Sequence, residues 1–168
     1  MTPNHSPIAG LGNTVSRLAA LVGRIGMIVA PPIVRIALAL PFLRSGLTRW
    51  DGFLSLSVGT QFLFEEQFKL HLFGAEYGFP MPDTVALLTA IAEILLPLLL
   101  IAGLATRFAG LALLVMTAVI QLVFPDGWMN FHLYWAALAL AVMALGPGPL
   151  SLGHLIHRAC RPSGNGTE

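Results

Sequence analysis

Apolar residues in this chain gather into four long runs, separated by two short polar breaks and one long one. A helix needs about 20 apolar residues to cross a bilayer. The first run, Met27 to Leu47, is the most interrupted and holds Pro31, Pro32, Arg35, Pro41 and Arg44. The second, Thr84 to Leu104, carries one charge, Glu93, and Asp83 ahead of it suits an N-cap that accepts free backbone donors. The third extends from Phe108 to Phe124, with Thr106 as a cap and Gln121 near its far end. The fourth, Met129 to Leu145, stops at Gly146-Pro147-Gly148-Pro149, which cannot continue a helix. The pattern predicts an all-α membrane protein, an antiparallel four-transmembrane-helix bundle over residues 27–146.

The breaks decide the connectivity. Gly103 to Arg107 and Pro125-Asp126-Gly127 are tight turns, so the last three helices are antiparallel neighbours. The first connection, 48–83, is long. Within it Gln61 to Phe73 is apolar at roughly helical spacing, which predicts an amphipathic helix lying in the headgroup region. Residues 1–26 form an N-terminal segment in which Val15, Leu18, Val22 and Ile25 make a helical stripe, predicting a second interfacial helix. Arg17 and Arg24 interrupt that run, so a cleaved signal peptide is not expected. Residues 147–168 form a tail.

Charge adds orientation. Arg17, Arg24, Arg107, Arg158 and Arg161 fall on one side, whereas Asp51, Glu65, Glu66, Glu76, Asp83 and Asp126 fall on the other with Arg49 and Lys69. Lys and Arg near spans mark the cytoplasmic face. Both termini are therefore expected in the cytoplasm. Trp50, Trp128, Trp135, Tyr77 and Tyr134 then sit toward the outer leaflet, where amphipathic rings prefer to lie. Only 10% of the 168 residues are charged and 56% are hydrophobic, and the net charge of +1 gives no reason to expect nucleic acid. One cysteine, Cys160, excludes an internal disulfide.

Ionisable groups in hydrocarbon cost about 2.5–3.5 kcal/mol on insertion scales, so they tend to face the bundle interior and find partners. Arg35 and Glu93 come at similar depths when counted from the span ends, which predicts an ion pair. Such a pair either fixes helix register or supplies a carboxylate that handles protons or ligand. A second group lies nearer the outer face: Arg44, Gln121 and His132, with Arg49 and Asp51 just above. One reading is a head-group pocket, since quinone carbonyls need hydrogen-bond donors in an apolar, aromatic-lined cavity. The other has the arginines snorkelling to phosphates and the polar pair joining helices. His154, His157 and Cys160 share the spacing of a soft-metal site, but a basic surface helix accounts for them and no metal site is predicted.

These residues also carry a resemblance. Pro41-Phe42-Leu43-Arg44-Ser45-Gly46-Leu47-Thr48-Arg49-Trp50 resembles the first-helix motif of the DoxX family. Ala92-Glu93-Ile94-Leu95-Leu96-Pro97 with Gly103-Leu104-Ala105-Thr106-Arg107 resembles its second-helix acid and turn, and Gly146-Pro147-Gly148 with Leu150-Ser151-Leu152 its C-terminal signature. By this resemblance Glu93, Arg44 and Arg107 match family positions. One departure is Gly153, where the family commonly has an acid, so a cytoplasmic polar contact is missing or replaced.

The resemblance implies a small four-helix bacterial inner-membrane protein linked to redox chemistry. Two functions follow as expectations. The first is a quinone-interacting subunit of a redox or stress-response system, in contact with the lipid bilayer and a soluble or membrane redox partner. The second is a non-catalytic partner in the production or export of a metal-binding peptide, or in metal-stress resistance; the segment Phe68 to Phe73 resembles the branch found in metal-stress operons. Small-solute transport ranks last, because no inverted repeat or pair of broken helices is evident.

Overall fold

The computed structural model describes residues 7–159, apart from the side chains of residues 7–12 and His157. Helix α1 spans Pro7–Leu47. A small hairpin follows, β1 (Trp50–Gly52) and β2 (Ser55–Leu56), and then the short helix α2 (Val58–Phe62), which runs into a π-turn over Leu63–Gln67. A second hairpin, β3 (Lys69–Leu72) and β4 (Ala75–Gly78), leads to α3 (Pro82–Ala102) and α4 (Thr106–Val123). A 3₁₀ turn over Pro125–Gly127 and a π-helical turn over Trp128–His132 enter α5 (Leu133–Leu145), and α6 (Leu152–Ala159) follows. Four helical segments among the described residues are long and apolar enough to cross a membrane, and together they form the transmembrane bundle.

The helix ends follow local chemistry, with two departures from expectation. Gly103, at φ +72°, closes α3: its N–H reaches Leu100 O at 3.0 Å, and Leu104 N reaches Leu99 O at 2.9 Å, a Schellman ending. Asp83 does not cap α3. Met81 takes that position, and Asp83 lies in the first turn, where its charge meets the positive end of the helix dipole. Likewise Ala105, not Thr106, precedes α4.

Two predicted surface helices are corrected. The stripe Val15, Leu18, Val22 and Ile25 is the first part of α1, continuous with the span and exposed from 13 to 29. Pro31 and Pro32 do not break it, because each removes one backbone donor and a membrane helix tolerates that. The stretch Gln61 to Phe73 is helical only to Gln67 and then turns into β3. Phe73 and Gly74 both have positive φ, which suits the tight turn joining β3 to β4.

Packing relies on small residues. Helices gain no hydrophobic drive against one another in lipid, so close backbone approach matters most. Leu38, Ala39, Phe42, Leu100, Ala109, Leu113, Ala139 and Val142 form the core where α1, α3, α4 and α5 meet. A Cβ at Gly46 would lie 2.9 Å from the Glu93 backbone, and one at Gly110 would lie 3.2 Å from both Met143 and Val142. Gly46 therefore sets how closely α1 approaches α3. It also sets their register: Glu93 lies level with Gly46, although it is well inside α3.

Candidate functional site

That register brings Arg49 down to Glu93. Arg49 follows α1 by a turn in which Thr48 N bonds Ser45 O and Arg49 N bonds Gly46 O. Its carbonyl accepts from Ser57 N at 2.9 Å and from Thr60 Oγ1 at 3.2 Å, which fixes the backbone. The guanidinium then donates to Glu93 through Nε at 2.5 Å and Nη2 at 2.8 Å. Nη2 also reaches Ser45 Oγ at 3.3 Å, and the guanidinium carbon lies 5.4 Å from the centre of the Phe64 ring. Fork-to-carboxylate geometry of this kind is strong and directional. Glu93 is almost wholly buried, and Arg49 supplies the hydrogen bonds that satisfy both of its carboxylate oxygens.

Arg49 and Glu93 form part of the wall of a cavity of about 510 Å³. Helices α1, α3 and α4 and the start of α5 enclose it, and Phe64, Phe68 and Phe79 contribute from the long connection. Phe64 stacks edge-on to Phe68, and Phe68 to Phe124, so the connection is locked to the end of α4 by rings. His71 adds a hydrogen bond between its Nδ1 and Leu122 O at 3.1 Å. The lining is aromatic and apolar, with few polar groups.

His132 supplies the other ionisable group. Gln121 donates from Nε2 to Pro125 O at 2.8 Å, which turns its Oε1 toward His132 Nδ1 at 2.6 Å. Nδ1 must then carry the proton. Nε2 is left as the acceptor in the neutral ring, and the ring itself lines the cavity. Gly127 makes room for it, since a Cβ there would overlap the imidazole. The ring also stacks on Trp135 at 5.4 Å.

The predicted residues are thus redistributed. Glu93, His132 and Arg49 line one cavity, and Gln121 holds His132 from behind. Arg44 does not join them. Pro41, Phe42, Ser45 and Arg49 share the inward face of the chain, and Arg44, one residue off that face, is exposed. Asp51 is exposed in β1. The expected Arg35–Glu93 pair is not formed. Arg35 lies three turns, roughly 16 Å, along α1 from Gly46 and therefore from Glu93.

Arg35 instead sits where α3 turns into α4. Its Nη2 donates to Leu150 O at 2.8 Å, and a Cβ at Gly103 would overlap its Nη1. Its Nε and Nη1 have no hydrogen-bond partner. Residues that sequence reasoning missed are Ser45 and the rings of Phe64, Phe68 and Phe79. The i, i+4 spacing of Phe64 and Phe68 was their only signal. The reading of His154, His157 and Cys160 as a group falls partly outside the described residues, at Cys160 and at the His157 side chain.

No curated protein and no solved structure matches the chain. A family model does: that of DoxX matches residues 30–126. The match takes in α1 from the bundle onward, the long connection, α3 and α4, hence most of the cavity wall. It covers more than half of the sequence, and the chain belongs to the DoxX family.

Proposed function

We propose that the protein is a quinone-binding subunit of a membrane redox or stress-response system, with the aromatic cavity as its head-group site. The observation that carries this reading is the meeting of Arg49–Glu93 and His132 on the wall of one cavity. Its size of about 510 Å³ falls in the range of about 300–1,000 Å³ typical of small-molecule sites. A quinone ring stacks on aromatic walls and presents two carbonyl oxygens to donors. The guanidinium of Arg49 is one such donor, and protonated His132 Nε2 is another. When the bound species is the quinol, neutral His132 Nε2 accepts its hydroxyl proton, held in that tautomer by Gln121. Reduction of a quinone takes two electrons and two protons. The chain's residues bind the ring and move protons, and the electrons come from a redox partner.

In this reading the termini are cytoplasmic, because Arg17, Arg24, Arg107 and Arg158 gather at that end of the bundle. The cavity then opens toward the outer leaflet of a bacterial inner membrane. The test is quinone content per protein after purification in mild detergent, for wild type and His132→Leu. Near-stoichiometric quinone in the wild type and its loss in the variant is expected. Wild-type protein free of quinone, and unable to take it up when it is added back, overturns the reading.

A further inference from the structure

At the opposite end of the bundle, Arg35 is 2% exposed and carries two donors that bond to nothing. The ion pairs among the described residues involve Glu93 and Glu76, so no carboxylate there neutralises Arg35. A buried cation of this kind calls for an anion. Nη1 lies against Gly103, and Ser151 Cβ crowds the same place, so a Cβ at residue 103 would overlap both. Gly153 lies against Gly103 O, where its own Cβ would come within 2.8 Å.

Ser151 caps α6, accepting from His154 N at 3.1 Å. The first-turn amides of Leu152 and Gly153 have no intrahelical acceptor. An unpaired guanidinium donor, Nη1, and the free first-turn amides of α6 therefore share one junction. Anions are favoured at helix N-termini, and a charged guanidinium N–H makes a strong hydrogen bond to a phosphate oxygen.

We propose that Arg35 and the first turn of α6 bind a phosphate-class oxyanion, carried either by a phospholipid headgroup or by free phosphate. The anion ties α1, the α3–α4 turn and the C-terminal segment together. It is independent of the aromatic cavity, and its test reads neither quinone nor redox activity.

The full chain is purified in phosphate-free maltoside. Its melting midpoint is followed while inorganic phosphate replaces chloride at constant ionic strength. In parallel, protein taken from phosphatidylcholine–phosphatidylglycerol vesicles is weighed by native mass spectrometry. A saturable rise with phosphate identifies a site open to the free ion. Retained phospholipid without that rise identifies the headgroup as the source. Arg35→Gln should weaken whichever response occurs at least tenfold. Should that variant fail to fold, Arg35→Lys, which keeps the charge but loses the separate Nε and Nη1 donors, should weaken it instead. Neither response in the wild type, or a response unchanged in the folded variant, overturns the proposal.

Discussion

Arg49 holds Glu93 by two parallel bonds of 2.5 and 2.8 Å, at the level where Gly46 lets α1 touch α3. The pair joins the end of the first span to the middle of α3, and it faces the cavity. Its energetic weight lies in what happens when one partner is removed. An intact buried pair adds little net stability, because desolvation offsets the Coulomb term, whereas a lone buried charge is costly.

Replacing Glu93 alone by Leu should therefore destabilise the fold by about 3–5 kcal/mol. The double replacement Arg49→Met with Glu93→Leu should recover most of that loss. Denaturant or thermal unfolding of the two singles and the double completes the cycle. Additive losses would mean the two side chains do not act as a pair.

Gly46→Ala should separate α1 from α3, because the new Cβ meets the Glu93 backbone and not a flexible side-chain end. Overpacking of this kind costs about 1–3 kcal/mol. A lower melting midpoint for Gly46→Ala is expected. A control at Gly23, where a Cβ meets nothing within 4 Å, should cause much less.

How much of this was legible in the sequence varies by residue. Glu93, Gln121 and His132 stand out as polar residues in apolar runs, and the structure puts all three at or beside one cavity. Which arginine serves Glu93 was not legible. Depth counted from span ends favoured Arg35, but α1 ends level with the middle of α3, so Arg49 beyond its end reaches Glu93 instead. Arg44 and Arg49 differ in facing, and facing beyond a helix end depends on the turn that follows. Phe64 and Phe68 read as a surface stripe, because the sequence does not reveal that the long connection folds back over the bundle.

Gly127→Ala tests the seat of His132. The backbone at Gly127 has φ −76°, which alanine adopts freely, so the effect should come from displacing the imidazole. Quinone retention should fall at least as far as in Gln121→Leu, while the helical content of the protein stays unchanged. Retention equal to wild type would remove His132 from the site.

Phe64→Ala should open the cavity at the connection. The ring is buried and touches Phe68, Phe79 and the Arg49 guanidinium. Losing such a ring costs about 3–5 kcal/mol in a packed core. Faster exchange of bound quinone is the accompanying expectation, read by stopped-flow displacement.

Orientation is tested with the single cysteine, Cys160. A membrane-impermeant maleimide should leave it unlabelled in cells with a permeable outer membrane and label it after lysis. Labelling before lysis would place the C-terminal segment outside and reverse the assignment of the cavity to the outer leaflet.

The most direct measurement is photo-crosslinking of the purified protein with a short-chain azidoquinone, followed by peptide mapping. The cavity reading predicts adducts at lining residues such as Met116, Phe131 and Trp135, competed by unlabelled quinone and lost in His132→Leu. Adducts confined to outward-facing residues such as Leu88, Leu95 or Val115, unchanged by competitor, would contradict it.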